Sequence, residues 1–235
     1  MSSIPVLFAV QLGFALVLCA RVSLRRALFV LVPILLVSAW GVLSGWAAWS
    51  GVYDSGWFLA LWPGLWLPAV PIAIVLLTLS LPGVAGAVHD VARATPAHWL
   101  VAVQALRIAA VGTLVKTATG DFPLHVELAI GLTDLAFGVS ALWVFFLARK
   151  QRVHPDALFV WHCVGIALIL VPGNLALQLG LPGPLQVFAT EPTAAVMLDW
   201  PMALAPTLVV PIFLLFNGFG ALNARTQRLR VESRA

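Results

Sequence analysis

Residues 97–138 read AHWLVAVQALRIAAVGTLVKTATGDFPLHVELAIGLTDLAFG, and this stretch decides what kind of fold the chain can adopt. It holds one apolar run, Ala97–Thr117, and most of a second, His125–Leu147, joined by a turn that contains Gly120 and Pro123. Each run has about 20 residues, the length of α-helix that crosses the hydrocarbon core of a bilayer. The pattern therefore predicts a membrane-spanning helical hairpin.

The rest of the 235-residue chain has the same character. It is 62% hydrophobic and only 9% charged, with a mean hydropathy of +1.03, whereas average soluble chains carry about 25% charged residues. This composition excludes a soluble globular enzyme and a disordered chain. We expect an all-α integral membrane protein, a single bundle over residues 1–235, with about seven transmembrane helices: Ile4–Ala20, Ala27–Trp49, Trp57–Ser80, Ala97–Thr117, His125–Leu147, Ala157–Gln178 and Pro201–Leu222.

The basic residues predict the orientation. All 13 Lys and Arg except Arg107 and Lys116 fall in alternate loops or in the C-terminal tail, and such residues are retained on the cytoplasmic side. We therefore expect the N-terminus outside and the C-terminus in the cytoplasm, in a multi-pass protein of a bacterial cytoplasmic (inner) membrane. The residues are Arg21, Arg25, Arg26, Arg93, Arg149, Lys150, Arg152, Arg225, Arg228, Arg230 and Arg234.

Three segments lie outside the predicted transmembrane helices, and one apolar run is not expected to form a straight helix. Residues 81–96 are typical of an interfacial segment on the cytoplasmic side. Residues 181–200 are apolar but interrupted by prolines, so we expect an outer-surface or re-entrant segment, and residues 223–235 form a basic cytoplasmic tail. The third apolar run carries Pro63, Pro68 and Pro71, which predict a kink.

Ionisable residues inside the hairpin mark the candidate site. Residues at equal depth in two antiparallel helices have numbers with a constant sum: Arg107 plus Asp134 gives 241, and Lys116 plus Glu127 gives 243. One register thus predicts both pairs, the first near mid-bilayer and the second at the outer mouth. Glu127 and Asp134 lie seven residues apart, close to two turns, and share one helix face.

Two interpretations of this cluster stay open, and they are compatible. The Arg107–Asp134 pair can be a structural lock on the hairpin. Alternatively, intramembrane ionisable groups often line a solute or ion path. The residues of that path would be Gln104, Arg107, Lys116, His125, Glu127 and Asp134.

Three functions follow from these interpretations. The first is handling of a small solute or ion, and the second is an accessory or assembly subunit of a larger membrane complex, or a homo-oligomer. The third is a haem-binding or lipid-modifying protein, with His98 and His162 as haem ligands at similar depth. The chain has no catalytic or metal-binding motif, so we do not expect a metal site, and the third function is the only enzymatic alternative that stays open. The lipid bilayer is the predicted environment of the chain. The sequence indicates no nucleic-acid partner and no particular cofactor.

A resemblance supports the pair. The pattern Gln104-x-x-Arg107, followed by Phe122-Pro123 and by Gly131-x-x-Asp134-x-x-x-Gly138, resembles that of small uncharacterised bacterial polytopic membrane proteins. The likeness covers about a sixth of the chain. It implies that Arg107 and Asp134 act together, and it implies no particular activity.

Overall fold

The structure, a computed structural model, describes residues 3–232, and in that range the chain forms nine α-helical segments and one separate 3-10 turn, Ala194–Met197. Five of them contain a stretch of 22 to 26 residues that is long and apolar enough to cross a membrane, so the described chain is all-helical with five candidate membrane spans. The segments are α1 (Ile4–Cys19), α2 (Leu24–Trp49), α3 (Gly56–Leu59), α4 (Pro63–Thr78), α5 (Val84–Ala94), α6 (Ala97–Ala118), α7 (Leu124–Arg149), α8 (Pro155–Gly180) and α9, which begins as the turn Ala205–Val209 and continues as Val210–Glu232.

The five long helices are α2, α6, α7, α8 and α9, and each begins and ends within a few residues of a predicted run, except for α9, which extends to Glu232. The first and third runs yield shorter helices, since α1 and α4 have 16 residues each. The third run is broken rather than only kinked. Trp62 adopts a left-handed conformation (φ 56°) between α3 and α4, and Leu67–Ala69 is a 3-10 turn. Pro63, Pro68 and Pro71 lack the N–H groups that would continue an α-helix through this region.

Helix α9 lies at the centre of the bundle. Two thirds of its apolar window (67%) is buried, against 22–28% for the other four long helices. It packs along α8 and also contacts α5 and α6, while α6 packs against α7. The predicted hairpin therefore lies beside a central helix that comes from far along the chain.

The basic loops meet at one end of the bundle. Arg21 donates to the Ala94 carbonyl oxygen and lies 4.7 Å from the Trp99 ring, while Arg26 pairs with Asp90 at 3.0 Å. Helix α5 lies within the predicted interfacial segment and is held there by Asn223 of α9, whose amide donates to two carbonyl oxygens near the end of α5. The amphipathic α5 thus packs beside the basic residues between α1 and the start of α2.

The segment between α8 and α9 lies at the opposite end. Its Phe188 ring stacks on His125 at the start of α7, with 4.5 Å between ring centroids. Its Trp200 packs against Gly45 near the end of α2. Apart from a 3-10 turn, Ala194–Met197, this segment has irregular backbone.

Candidate functional site

The structure brings Arg107 of α6 and Asp134 of α7 together inside the bundle. Arg107 Nε lies 3.4 Å from Asp134 Oδ1, and the two residues are only 2% and 6% exposed. This is the pair predicted by the constant-sum register of the hairpin. A charge buried without a partner costs several kcal/mol, so Asp134 stabilises Arg107 in this position.

The rest of the Arg107 guanidinium is held by α7, α8 and α9. Nη1 and Nη2 each donate to the Gly165 carbonyl oxygen at 3.3 Å. The Phe137 and Phe213 rings lie 4.7 Å and 5.5 Å away, within the range of cation–π attraction. Arg107 therefore links four helices, and its position is fixed.

Glycines allow these helices to approach closely. A Cβ at Gly138 would lie 2.7 Å from the backbone nitrogen of Ile108, so α6 and α7 can meet at this level only because that side chain is absent. At Gly165, a Cβ would overlap the Phe137 ring and the Asn217 amide. Gly138 belongs to the motif that carries the sequence resemblance, and this contact explains the glycine in it.

Glu127 lies one level outward from the ion pair. Its residue is 1% exposed, its carboxyl group is folded against Gly131, and neither of its oxygens has a hydrogen-bond partner among residues 3–232. The Thr113 hydroxyl lies near this carboxyl group but donates to the Ala110 carbonyl oxygen. Glu127 is thus a buried acid whose hydrogen-bonding capacity is unused.

The expected Lys116–Glu127 pair is not formed in the described part of the chain. Glu127 faces Thr113 instead. The residue numbers of these two add up to 240, which agrees with the sum of 241 for Arg107 and Asp134 and hence with the same helix register. Lys116 lies one turn further outward, where its side chain is exposed. The register is right for the inner pair, and the outer pair was assigned one helical turn too far along α6.

A cavity of about 220 Å³ extends from Lys116 to the ion pair. It can hold several water molecules, since each occupies about 30 Å³ in the liquid. Its polar lining includes Arg107, Thr113, Lys116 and Asp134, and its remaining walls are mostly apolar. The cavity thus runs along the hairpin, as a polar path would.

Three stretches of irregular helix border this cavity. Val103–Ala110 in α6 is a 3-10 helix, whereas Glu127–Gly131 in α7 and Ala205–Val209 in α9 are π-helices. π-Helical turns are rare and concentrate at functional sites. Irregular backbone at membrane depth is tolerated where it lines a cavity or is buried in protein. The irregular helical stretches therefore point to the same candidate site as the ion pair.

Prolines explain the irregular start of α9. Pro211 has no N–H to donate to the Thr207 carbonyl oxygen, which accepts from Trp40 Nε1 at 2.9 Å instead. Gln11 of α1 donates to the Val209 carbonyl oxygen at 3.0 Å. Two neighbouring helices thus satisfy backbone groups that the π-helical turn exposes.

Besides Glu127, two predicted path residues, Gln104 and His125, do not line the cavity. The Gln104 amide donates to the Phe213 carbonyl oxygen at 3.3 Å, so it supports a ring that covers Arg107. His125 stacks on Phe188, and its Nδ1 lies 3.4 Å from the Thr190 hydroxyl. His125 therefore fastens the segment between α8 and α9 to the start of α7.

The two histidines considered as haem ligands have other partners. His162 Nδ1 lies 2.9 Å from Asn217 Oδ1, and its Nε2 edge packs directly against Gly220 of α9. Neither nitrogen of His162 therefore faces a space that would take a haem, while the His98 ring contacts Phe145. Within residues 3–232 no three His, Cys, Asp or Glu residues group as metal ligands.

Sequence analysis missed several residues of the site. Phe137 lies three positions after Asp134 on the same helix face, a signal that was available. Gly165 and Phe213 come from α8 and α9, and only the packing of distant helices brings them to Arg107.

Comparisons with known proteins place the chain in a family without assigning it an activity. No curated protein and no solved structure matches it. The model of one family, described as a domain of unknown function, DUF8737, matches residues 64–220, about two thirds of the chain, and this region contains the ion pair and all three irregular stretches. The chain therefore belongs to the DUF8737 family.

Proposed function

We propose that this protein handles a small solute or ion through a polar path that opens at the outer face of a bacterial cytoplasmic membrane and ends at Arg107 and Asp134. The observation that carries the proposal is the cavity of about 220 Å³ that connects Lys116 to this pair. A pair that only locked two helices would need no such space.

The proposal includes seven membrane crossings, five by the long helices and two by α1 and α4. A 16-residue helix is about 24 Å long, somewhat short of the hydrocarbon core of about 30 Å, so neighbouring residues such as those of α3 complete the crossing. The clustering of basic residues at one end supports a cytoplasmic position for that end. The mouth beside Lys116 then faces outward.

The polar atoms of the ion pair support a water-filled path over a dry lock. Arg107 Nε and Asp134 Oδ1 face each other at 3.4 Å but make no hydrogen bond in the described structure. A buried polar atom left unpaired costs about 1–3 kcal/mol, more if the group is charged. Water in the cavity supplies partners to the groups that line it and reduces this cost.

Cysteine accessibility tests the path. In a Cys19→Ala, Cys163→Ala background, Ile130→Cys places a thiol on the cavity wall. We expect a membrane-impermeant maleimide added from outside to modify it. Leu128→Cys is the matched control, because Leu128 is 54% exposed on the outside of the bundle, where surrounding lipid keeps a thiol un-ionised and unreactive.

Gly131 is unsuitable for this test, because a Cβ there would overlap the Glu127 carboxyl group. Equal lack of reaction at positions 130 and 128 in folded protein would show that the cavity is closed and dry. The ion pair would then be a lock, and the accessory-subunit function would replace the proposal.

A further inference from the structure

The charge of the cavity is not balanced. Among the residues that line it, three carry charged side chains: Arg107, Lys116 and Asp134. Arg107 and Asp134 compensate each other at 3.4 Å. Within the described chain no carboxylate lies within 4.0 Å of the Lys116 ammonium group, so the cavity keeps one positive charge.

Glu127 does not cancel this charge. It lies behind Gly131 and does not line the cavity. The residue is 1% exposed, with both carboxyl oxygens buried inside the protein, so its carboxyl group cannot touch a ligand in the cavity.

Lys116 is the charged group that a ligand can reach. The Arg107 side chain is 0% exposed, and the forked pair of N–H groups on Nη1 and Nη2 is taken by the Gly165 carbonyl oxygen. Lys116 is exposed and lies toward the mouth of the cavity, so it supplies the unbalanced charge.

Resting on the function proposed above, we propose that the cavity binds a small monovalent organic anion, a monocarboxylate whose short apolar chain lies against the apolar walls. One unbalanced positive charge compensates one negative charge, so the second charge of the phosphate dianion would stay uncompensated in the cavity. The walls include Val126, Ile130, Met202 and Phe213, which offer no side-chain hydrogen bonds to a polyol.

The size of the cavity agrees with this class of ligand. At about 220 Å³ it lies below the range of roughly 300–1,000 Å³ typical of sites for drug-sized molecules. A carboxylate with a chain of a few carbons is suited to it.

Equilibrium binding to the full chain in lipid nanodiscs tests the proposal, with radiolabelled butyrate as the probe. We expect saturable binding of one butyrate per chain, displaced by excess unlabelled butyrate and unaffected by glycerol or equal concentrations of phosphate. Lys116→Gln should weaken binding about tenfold, and Lys116→Arg should restore it because the charge returns. Lys150→Gln is the matched control, since Lys150 is the other lysine of the chain and lies outside the cavity.

Other results would overturn the assignment. These are an absence of saturable butyrate binding, equal butyrate affinity in the wild type and a folded Lys116→Gln variant, or tighter binding of phosphate or radiolabelled sodium. Maleimide labelling of Ile130→Cys in the same nanodiscs separates the two proposals. Labelling without butyrate binding refutes the ligand class alone, whereas loss of labelling refutes the path as well.

Discussion

At the residue scale, the Arg107 guanidinium is surrounded by groups from three other helices. One carboxylate, one carbonyl oxygen and two aromatic rings contact it. Arginine keeps its proton under all ordinary conditions, so the protein must compensate this charge permanently. Asp134 can instead become neutral by protonation. The pair is therefore asymmetric, with Arg107 the more costly member to leave alone.

The first prediction concerns that asymmetry. Asp134→Asn leaves the arginine without its counter-charge and should lower the free energy of unfolding by about 3 kcal/mol, the low end for a broken buried pair, because Gly165 and the two rings still contact Arg107. The double variant Arg107→Met, Asp134→Asn should lose less than the sum of the two single variants. SDS unfolding titrations followed by tryptophan fluorescence measure these losses.

The control for this cycle is the exposed pair Arg26–Asp90, whose side chains are 45% and 39% exposed. Asp90→Asn should cost less than about 1 kcal/mol, because solvent screens a surface pair. Strictly additive losses at Arg107 and Asp134 would show that the two groups do not interact.

The second prediction concerns pH. Partial desolvation of Asp199, together with the charge of Asp54 and a hydrogen bond between the two carboxyl groups, raises the pKa of Asp199 from 3.8. The folded protein thus holds this proton more tightly than the unfolded chain. The resulting stabilisation is complete below pH 3.8 and is lost as pH rises through the raised pKa.

Asp199→Asn should remove this part of the pH dependence. The variant should gain stability over the wild type at neutral pH, and the difference should shrink as the pH is lowered toward 4. Unfolding titrations across this pH range measure the slope of the unfolding free energy against pH. The control is Asp121→Asn, in the turn between α6 and α7. An unchanged slope in Asp199→Asn would mean that the Asp54–Asp199 contact has no energetic consequence.

At the scale of elements, contact between α6 and α7 depends on one glycine. A Cβ at Gly138 would lie 2.7 Å from Ile108 N and 3.0 Å from Arg107 C, and these backbone atoms cannot move without shifting the helix. The same contact sets the depth at which Asp134 meets Arg107. Helix packing and the ion pair are therefore coupled.

The third prediction is that Gly138→Ala lowers the free energy of unfolding by about 1–3 kcal/mol, as overpacking does, and weakens the coupling between Arg107 and Asp134. The matched control is Gly112→Ala on α6, where a Cβ would meet nothing within 4 Å. There the added methyl group should stabilise the helix by about 0.5–1 kcal/mol. Equal effects of the two substitutions would contradict the close approach at Gly138.

Helix boundaries and helix type differ in how far sequence predicts them. The boundaries of α6, α7 and α8 agree with the apolar runs within a few residues, because bilayer thickness sets the length of an apolar helix. The π-helical turns Glu127–Gly131 and Ala205–Val209 were not predicted. In α9 the turn depends on donors from other helices, such as Trp40 and Gln11, and a single segment does not contain that information.

At the scale of the whole molecule, the basic end and the cavity mouth lie at opposite ends of the α6–α7 hairpin. Arg93 lies in the segment before α6 and Arg149 is the last residue of α7, whereas Lys116 and the turn at Gly120 lie at the far end. The orientation of the chain in the membrane therefore decides which compartment the mouth of the cavity faces.

The fourth prediction is an outward mouth and a cytoplasmic C-terminus. Alkaline phosphatase inserted at Gly120 should be active, while alkaline phosphatase fused to the C-terminus should be inactive and green fluorescent protein there should fluoresce. An insertion after Arg152 should also give inactive alkaline phosphatase and serves as the control. An active C-terminal phosphatase would reverse the orientation and place the mouth in the cytoplasm.

The amino-acid sequence by itself determined the membrane class, the long helices and the inner ion pair. Hydrophobicity and helix length act locally, and the constant-sum rule needs only two helices joined by a short turn. Tertiary structure alone decided that Lys116 stands apart from Glu127, that Gly165 and Phe213 contact Arg107, and that a cavity is left between the hairpin and the start of α9. These features depend on how distant helices pack, because a cavity and a buried, unpartnered acid arise where side chains from several helices meet imperfectly.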